Sequence, residues 1–262
     1  MISYVSGSSG FIGKNLTERL DTFVSIPHAK LSTIKLETFD CFYFLSAYGN
    51  MPGHTVTDDS MVLKANIEDL ICILNQVDFG HIKSFVFLST SSVKLKVQTM
   101  YSRTKKAAEE ILLSFAEKYE APVCIIRPLT VTGVGDQPGH LIPTLIRSCL
   151  EGEAMNFVPQ PTHDFVNVED VVEGILSLSK NRARGIFELG TGISHTNKQV
   201  LDIVEGVTGK KANVNIVPSL RPYDNEEWVS TNFKARSWGW MPKITLEQSI
   251  KGMVEVYKNE HS

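Results

Sequence analysis

Tyr101 and Lys105 stand four residues apart in "MYSRTKKAAEE", and on a helix that spacing puts a phenol and an ammonium on one face. A free phenol, with a pKa of about 10, exchanges protons poorly at neutral pH. An ammonium beside it favours the phenolate and lowers that pKa, so the pair can pass a proton to or from a hydroxyl or carbonyl. The run "FLSTSS" ahead of the helix offers Ser89, Thr90, Ser91 and Ser92, one of which can bond the reacting oxygen. Alone, a Tyr-x-x-x-Lys spacing is common on helix surfaces; after a hydroxyl-bearing strand end it points to redox chemistry, which needs a hydride carrier.

The carrier's site is written at the start of the chain. "YVSGSSGFIGKN" spaces Gly7, Gly10 and Gly13 three apart, after an apolar strand-like run and before an amphipathic one. Gly7 permits the tight turn, Gly10 lets backbone approach a pyrophosphate, and Gly13 allows helix to pack on strand. The N–H groups opening the helix suit an anion. Gly7, Ser9, Gly10, Phe11, Ile12 and Gly13 are the expected cofactor-binding turn. The acidic residue that should close the second strand and bind ribose hydroxyls is missing. "FVSIPHAK" has His28 and Lys30 there, cations suited to a 2′-phosphate, which favours NADP, with NAD the alternative. The competing reading is that this stretch is solvated and the preference is set elsewhere.

These groups need a scaffold. "ISYVSG", "TFVSI", "CFYFLS", "SFVFLST" and "PVCIIRP" read as strands. Between them lie helices at "FIGKNLTERL", with Phe11, Ile12, Leu16 and Leu20 inward, and at 60–76, with Met61, Leu63, Ile67, Leu70, Ile71 and Leu74 inward. A third helix spans 101–118. Apolar strands separated by helices indicate a parallel sheet covered on both faces, a doubly wound α/β fold. Beyond Arg127, prolines and glycines cluster around a helix at 170–178, a strand at 185–189 and a helix at 198–207. The expected division is a dinucleotide-binding domain at 1–127, with 164–191 contributing. A smaller substrate-binding lobe takes 128–163 and 192–262 and closes over the carboxyl edge of the sheet.

A chain of 262 residues with 42% hydrophobic and 21% charged residues is ordinary for a globular protein. A net charge of −3 offers nothing for nucleic acid. No apolar run reaches membrane-spanning length, and the start lacks the pattern of a secretory signal. Cys41, Cys72, Cys124 and Cys149 form no Cys-x-x-Cys pair and read as small buried hydrophobes in a reducing, cytoplasmic compartment. His54, His81, His140 and His195 lack metal-ligand spacing, so no metal is expected. "KKAAEE" reads as a solvated helix face, and Trp238 and Trp240 as packing for the last helix.

Together the motifs resemble the extended short-chain dehydrogenase/reductases that modify nucleotide sugars: epimerases, 4,6-dehydratases and 4-keto reductases. The resemblance runs nearly end to end through the glycine turn, "FYFLSA", "KANIEDLICIL", "FLSTSSV", Tyr101/Lys105, "IIRPLTVTG", "HDFVNVEDVVEGI", "FELGTG" and "RPYDNEEWVSTNFKARSWGWMP". It implies a Rossmann-type sheet, with Tyr101 as proton donor/acceptor, Lys105 as its activator and ligand of the nicotinamide ribose, and Thr90 as hydroxyl partner. Leu45, Ala47, Asn66, Pro128 and Leu129 would border the cofactor. Thr130, His163, Arg221 and Asp224 would face a nucleotide-sugar substrate, with Arg221 on its pyrophosphate. Helices 60–76 and 101–118 would pair two copies as a homodimer.

The departures narrow the chemistry. The segment before "CFYFLS" is too short for the family's next strand and helix, and the loop from Thr90 to Tyr101 is shortened, with Lys94 and Leu95 where a Tyr-Gly is usual. His163 replaces an Arg. Ser91 and Ser92 stand where dehydratases carry an Asp-Glu pair, which argues against elimination of water. Reduction of a 4-keto-6-deoxy-hexose nucleotide is the expected reaction, with 4-epimerisation on tightly held NAD the alternative. A non-catalytic dinucleotide sensor is the rival of another class, and the intact Tyr/Lys pair argues against it.

Overall fold

The computed structural model describes residues 2–49, 58–219, 224, 226, 228–231 and 233–261. Its chain alternates strand and helix: β1 (Ser3–Ser6), α1 (Phe11–Thr17), β2 (Phe23–Ile26), β3 (Cys41–Phe44), α2 (Asp59–Leu63), α3 (Asp69–Leu74), β4 (Ser84–Leu88), α4 (Met100–Tyr119) and β5 (Val123–Pro128). Then come β6 (Thr130–Thr132), α5 (Leu141–Glu151), β7 (Met155–Phe157), β8 (Thr162–His163), β9 (Phe165–Asn167), α6 (Val168–Lys180) and β10 (Gly185–Leu189). The chain closes with β11 (His195–Thr196), α7 (Asn197–Thr208), β12 (Val214–Ile216), α8 (Phe233–Ser237) and α9 (Leu246–Glu260).

Six strands make one parallel sheet in the order β10-β5-β4-β3-β1-β2. It is the Rossmann-like α/β sheet that the alternating pattern implies. Ser6 pairs with both Ile26 and Phe44, so β1, β2 and β3 end level. The strand order reverses at β1, and the crevice beyond its carboxyl end is where such sheets take ligands.

Alternating side chains feed two apolar layers. Val5, Val86, Ile126 and Phe187 face α6, where Val171, Val172 and Ile175 are fully buried. Tyr4, Phe42, Phe44, Phe85 and Phe87 face α3 and α4 with Leu70, Ile73, Ala108 and Leu112. Phe42 and Phe85 stack at 5.2 Å. Each such buried phenylalanine contributes roughly 1.5–3 kcal/mol, so this ladder fixes α4 and the side chains it carries. A third cluster, including Ile142, Leu145, Phe157, Val200 and Ile250, joins α5, α7 and α9 away from the main sheet.

Three local expectations are corrected. β2 is an edge strand, with Phe23 and Val24 each 40% exposed rather than covered on both faces. As the shortness of the segment implies, no strand follows it before β3; a 3-10 turn at His28–Lys30 and an irregular segment anchored by buried Leu31 and Phe39 make the connection. In the second helical stretch Met61, Leu63 and Ile71 lie outward, and the buried stripe is Val62, Ala65, Asn66, Asp69, Leu70 and Ile73. Two polar residues occupy that stripe, so counting apolar types selects the wrong face. The stretch also runs through a π-helical segment, Lys64–Glu68, between α2 and α3. Finally, Cys72 is half exposed, while the other three cysteines are buried; all four are free.

Candidate active site

At the end of β1 the chain turns with Gly7 at φ +72°. A side chain at Gly7 would begin 2.8 Å from the Ser46 nitrogen, and one at Gly13 only 2.0 Å from the Gly7 oxygen. Both glycines are therefore required by close backbone approach. Gly10 has only the Gly7 oxygen, at 3.3 Å, and it and Ser9 are exposed. The turn is an open backbone cradle of the kind a pyrophosphate fits. Phe11 and Ile12 are half buried behind it, in the first turn of α1.

α4 opens on Thr99, whose hydroxyl caps the Ser102 N–H. Lys105 is fully buried; its Nζ lies 4.0 Å above the Phe87 ring and has no hydrogen-bond partner. Burial drives its pKa down to about 7, with Glu109 opposing. Burial likewise pushes half-buried Tyr101 up to about 12. This differs from the sequence expectation of a phenol acidified by its neighbour. Desolvation penalises the charged form of both groups, so the tyrosine holds its proton and the lysine is ready to shed one. The orphaned Nζ points to a missing acceptor, which the hydroxyls of a nicotinamide ribose would supply.

The orientation of α4 is set by a residue that "KKAAEE" hides. Glu109 is fully buried rather than solvated. It accepts Ser89 Oγ at 2.5 Å and Arg127 Nε at 2.8 Å, and its second oxygen accepts Arg127 Nη2. Lys106 and Glu110 alone of the charged group pair at the surface. A lone arginine in the apolar strand "PVCIIRP" and a glutamate one turn beyond Lys105 were the available signals.

Ser89 is thereby committed to structure, and Ser91 is buried. Thr90 Oγ1 accepts the Ser92 N–H at 3.2 Å, capping a 3-10 turn at Ser91–Lys94. Asn66 holds the loop after β3: it accepts from Tyr48 N and donates to Tyr48 O and Thr104 Oγ1, at 2.9, 3.0 and 3.0 Å. Its described contacts make it a brace between that loop and α4. In the same loop Leu45 is buried and Ala47 exposed. Pro128 ends β5 and Leu129 follows it, both buried. The glycine turn, Leu45, Thr90, Tyr101, Lys105, Pro128 and Leu129 therefore all lie on the carboxyl side of the sheet.

Farther out, Thr130 Oγ1 and His163 Nδ1 approach to 3.5 Å, and the His163 ring lies 5.6 Å from Trp228. Buried Asp164, not singled out in the sequence, ties this region together by accepting from Thr191 N and Oγ1, Gly192 N and Ser230 N. Glu226 accepts from Lys96 N and Val97 N, linking the 224–231 segment to the loop before α4. Asp224 accepts from Ser219 Oγ at 2.5 Å. Arg221 lies outside the described residues. His28 is turned toward Asp69, Nε2 to Oδ2 3.4 Å, while Lys30 is exposed. Among the described residues no three His, Cys, Asp or Glu side chains are grouped to hold a metal, and no helix is long and apolar enough to cross a membrane.

Residues 28–190 match the family described as "NAD dependent epimerase/dehydratase family". The chain belongs to that family. It is thus an enzyme of the NAD-dependent epimerase/dehydratase type. Among curated relatives, mouse dTDP-D-glucose 4,6-dehydratase is 27% identical over 255 residues, 92% of this chain and 68% of that protein. UDP-glucuronate 4-epimerase of Thermodesulfobacterium geofontis is 27% identical over 193 residues, 68% of this chain and 59% of that protein. Among solved structures, MoeE5 in complex with UDP-glucose and NAD superposes with a TM-score of 0.89 at 23% identity, covering both chains completely. That likeness extends the fold to this epimerase/dehydratase-family chain from end to end, including the glycine turn, which precedes the matched residues.

Proposed function

We propose that the enzyme reduces a 4-keto-6-deoxy-hexose nucleotide, with NADP as its dinucleotide and Tyr101 as proton donor. The observation that carries this reading is the end of β2, which bears no carboxylate for the ribose hydroxyls and so suits a dinucleotide that exchanges after each reduction rather than one retained through epimerisation. Ser91 and Ser92 supply no acid–base pair for loss of water, despite the likeness to a dehydratase.

When bound, the dinucleotide supplies the hydride, which goes to the sugar C4 carbon. Tyr101 gives its hydroxyl proton to the C4 oxygen, Thr90 donates a hydrogen bond to the same oxygen, and the carbonyl becomes an alcohol. Lys105, seated on Phe87, holds the nicotinamide ribose and returns a proton toward Tyr101. The cradle of Gly7, Ser9, Gly10, Phe11, Ile12 and Gly13 receives the pyrophosphate, and Leu45, Ala47, Pro128 and Leu129 flank the cofactor. Thr130, His163 and Asp224 face the sugar nucleotide, and Arg221 is assigned to its pyrophosphate from the sequence resemblance alone. NADP is supported by the absence of a carboxylate at the end of β2 and by exposed Lys30.

Residues 128–163 and 192–262 form the substrate lobe, supported by the separate apolar cluster of α5, α7 and α9. Outward Met61, Leu63 and Ile71 support a homodimer through the helices at 60–76 and 101–118, and four free cysteines support a cytoplasmic setting.

The test is titration of cofactor-stripped protein with NADPH and NADH, then stopped-flow absorbance with a panel of 4-keto-6-deoxy nucleotide sugars. Stoichiometric oxidation of NADPH, slowed about 10²- to 10⁴-fold in Tyr101→Phe with dinucleotide binding intact, is the expected result. Interconversion of C4 epimers on retained NAD, without net oxidation, would replace reduction by epimerisation. Binding with neither reaction would favour a sensor.

A further inference from the structure

Asp69 is fully buried at the start of α3, yet only half of its carboxylate is satisfied. Oδ1 accepts Lys64 Nζ at 2.8 Å. Oδ2 makes no hydrogen bond, and neither does His28 Nε2, which faces it across 3.4 Å; both atoms are shielded from solvent. The two face each other as an ion pair without a hydrogen bond, so the buried acceptor and the buried ring nitrogen can each still take one. Glu68, exposed one residue before Asp69, is the other charged group near Lys64.

The place of this pair in the fold says what the partner is. His28 follows β2, which flanks β1 on the side away from β3, β4 and β5. Tyr101, Lys105, Pro128 and Leu129 mark that far side as the nicotinamide half, so the corner at His28 and Asp69 belongs to the adenosine half. The carboxylate repels a 2′-phosphate. What fits a carboxylate oxygen beside an imidazole N–H is the edge of adenine, which sets an amino donor beside a ring-nitrogen acceptor.

We propose that Asp69 and His28 read the adenine base of the dinucleotide. Asp69 Oδ2 accepts from the exocyclic amine, and His28 Nε2 donates to the neighbouring ring nitrogen once its 40%-exposed side chain turns to admit the base. Lys64 holds Asp69 in place through Oδ1. The pair thus serves from a helix and a turn where the sheet has no further strand beyond β2. The proposal rests on the chain binding a nicotinamide dinucleotide, and it leaves Lys30 as the 2′-phosphate contact.

The test compares NADPH with its hypoxanthine analogue by calorimetric titration of the whole chain. The analogue has a carbonyl in place of the amine and N–H in place of the ring acceptor, so both contacts are reversed. Wild type is expected to bind the adenine form at least about 10-fold more tightly, as for a buried polar pair left unmatched. Asp69→Asn, whose amide can donate to the carbonyl, should bring the two affinities within about threefold, and His28→Ala, at a half-exposed site, should cut the preference at least about threefold without lowering Tm. Equal binding by wild type, or full preference in both variants, overturns the proposal and leaves dinucleotide binding standing. Failure of wild type to bind either form overturns both.

Discussion

Replacing Glu109 by glutamine tests whether the buried Glu109–Arg127 pair is what holds α4 against the sheet. Glu109 is fully shielded and the Arg127 side chain is 12% exposed, so solvent screens the pair little. The substitution keeps the acceptor for Arg127 Nε and Ser89 Oγ but turns an amide N–H toward Arg127 Nη2, leaving a guanidinium charge unpaired. Breaking one side of such a pair costs about 3–5 kcal/mol, against a total stability of about 5–15 kcal/mol. Urea unfolding followed by circular dichroism should therefore show a large drop in midpoint at constant slope. The double variant Glu109→Leu with Arg127→Met should recover most of the loss, because an apolar pair of similar volume carries no unmet charge. A loss under about 1 kcal/mol in Glu109→Gln, or a double variant whose loss is the sum of the singles, would show that the pair does not anchor the helix.

Other outcomes follow from the same geometry. Gly13→Ala should fail to fold or bind, since its Cβ would sit 2.0 Å from backbone, whereas Gly10→Ala should keep its unfolding midpoint and lose at least about 10-fold in dinucleotide affinity in the same titration. Because the folded-state pKa of Lys105 is about 7, below its unfolded value, the unfolded chain binds more protons above pH 7. Wild type should thus gain stability relative to Lys105→Met as pH rises from 7 to 9, by roughly 1 kcal/mol or more, measured by urea unfolding at each pH. A flat difference would mean that the lysine stays charged in the fold. Ile71→Glu, on the outward face of α3, should shift sedimentation toward monomer without changing Tm; an unchanged sedimentation profile would place the dimer contact elsewhere.

Much of the site is readable from spacing. Gly7, Gly10 and Gly13, Tyr101 and Lys105, and the apolar strands each carry a local pattern with a single geometric consequence: a tight turn, one helix face, a two-sided sheet. What escapes the sequence is polar and buried. Glu109 looks like its exposed neighbours Lys106 and Glu110, and only the arrival of Arg127 from β5, eighteen residues on, makes it part of the interior. Asn66 and Asp69 occupy a buried stripe that an apolar count assigns to Leu63 and Ile71. Asp164 gathers four donors from segments far along the chain.

The sequence by itself determines the alternation of strand and helix, the glycine turn and the pairing of a phenol with an ammonium, because these depend on periodicity and on neighbours one helical turn away. Only the tertiary structure decides the charge state of that pair. Packing α4 on the sheet, with Lys105 over Phe87, removes water from both groups, which pushes the phenol pKa up and the ammonium pKa down. It also decides which carboxylates face inward, since burial of a charge depends on partners that folding brings from distant segments.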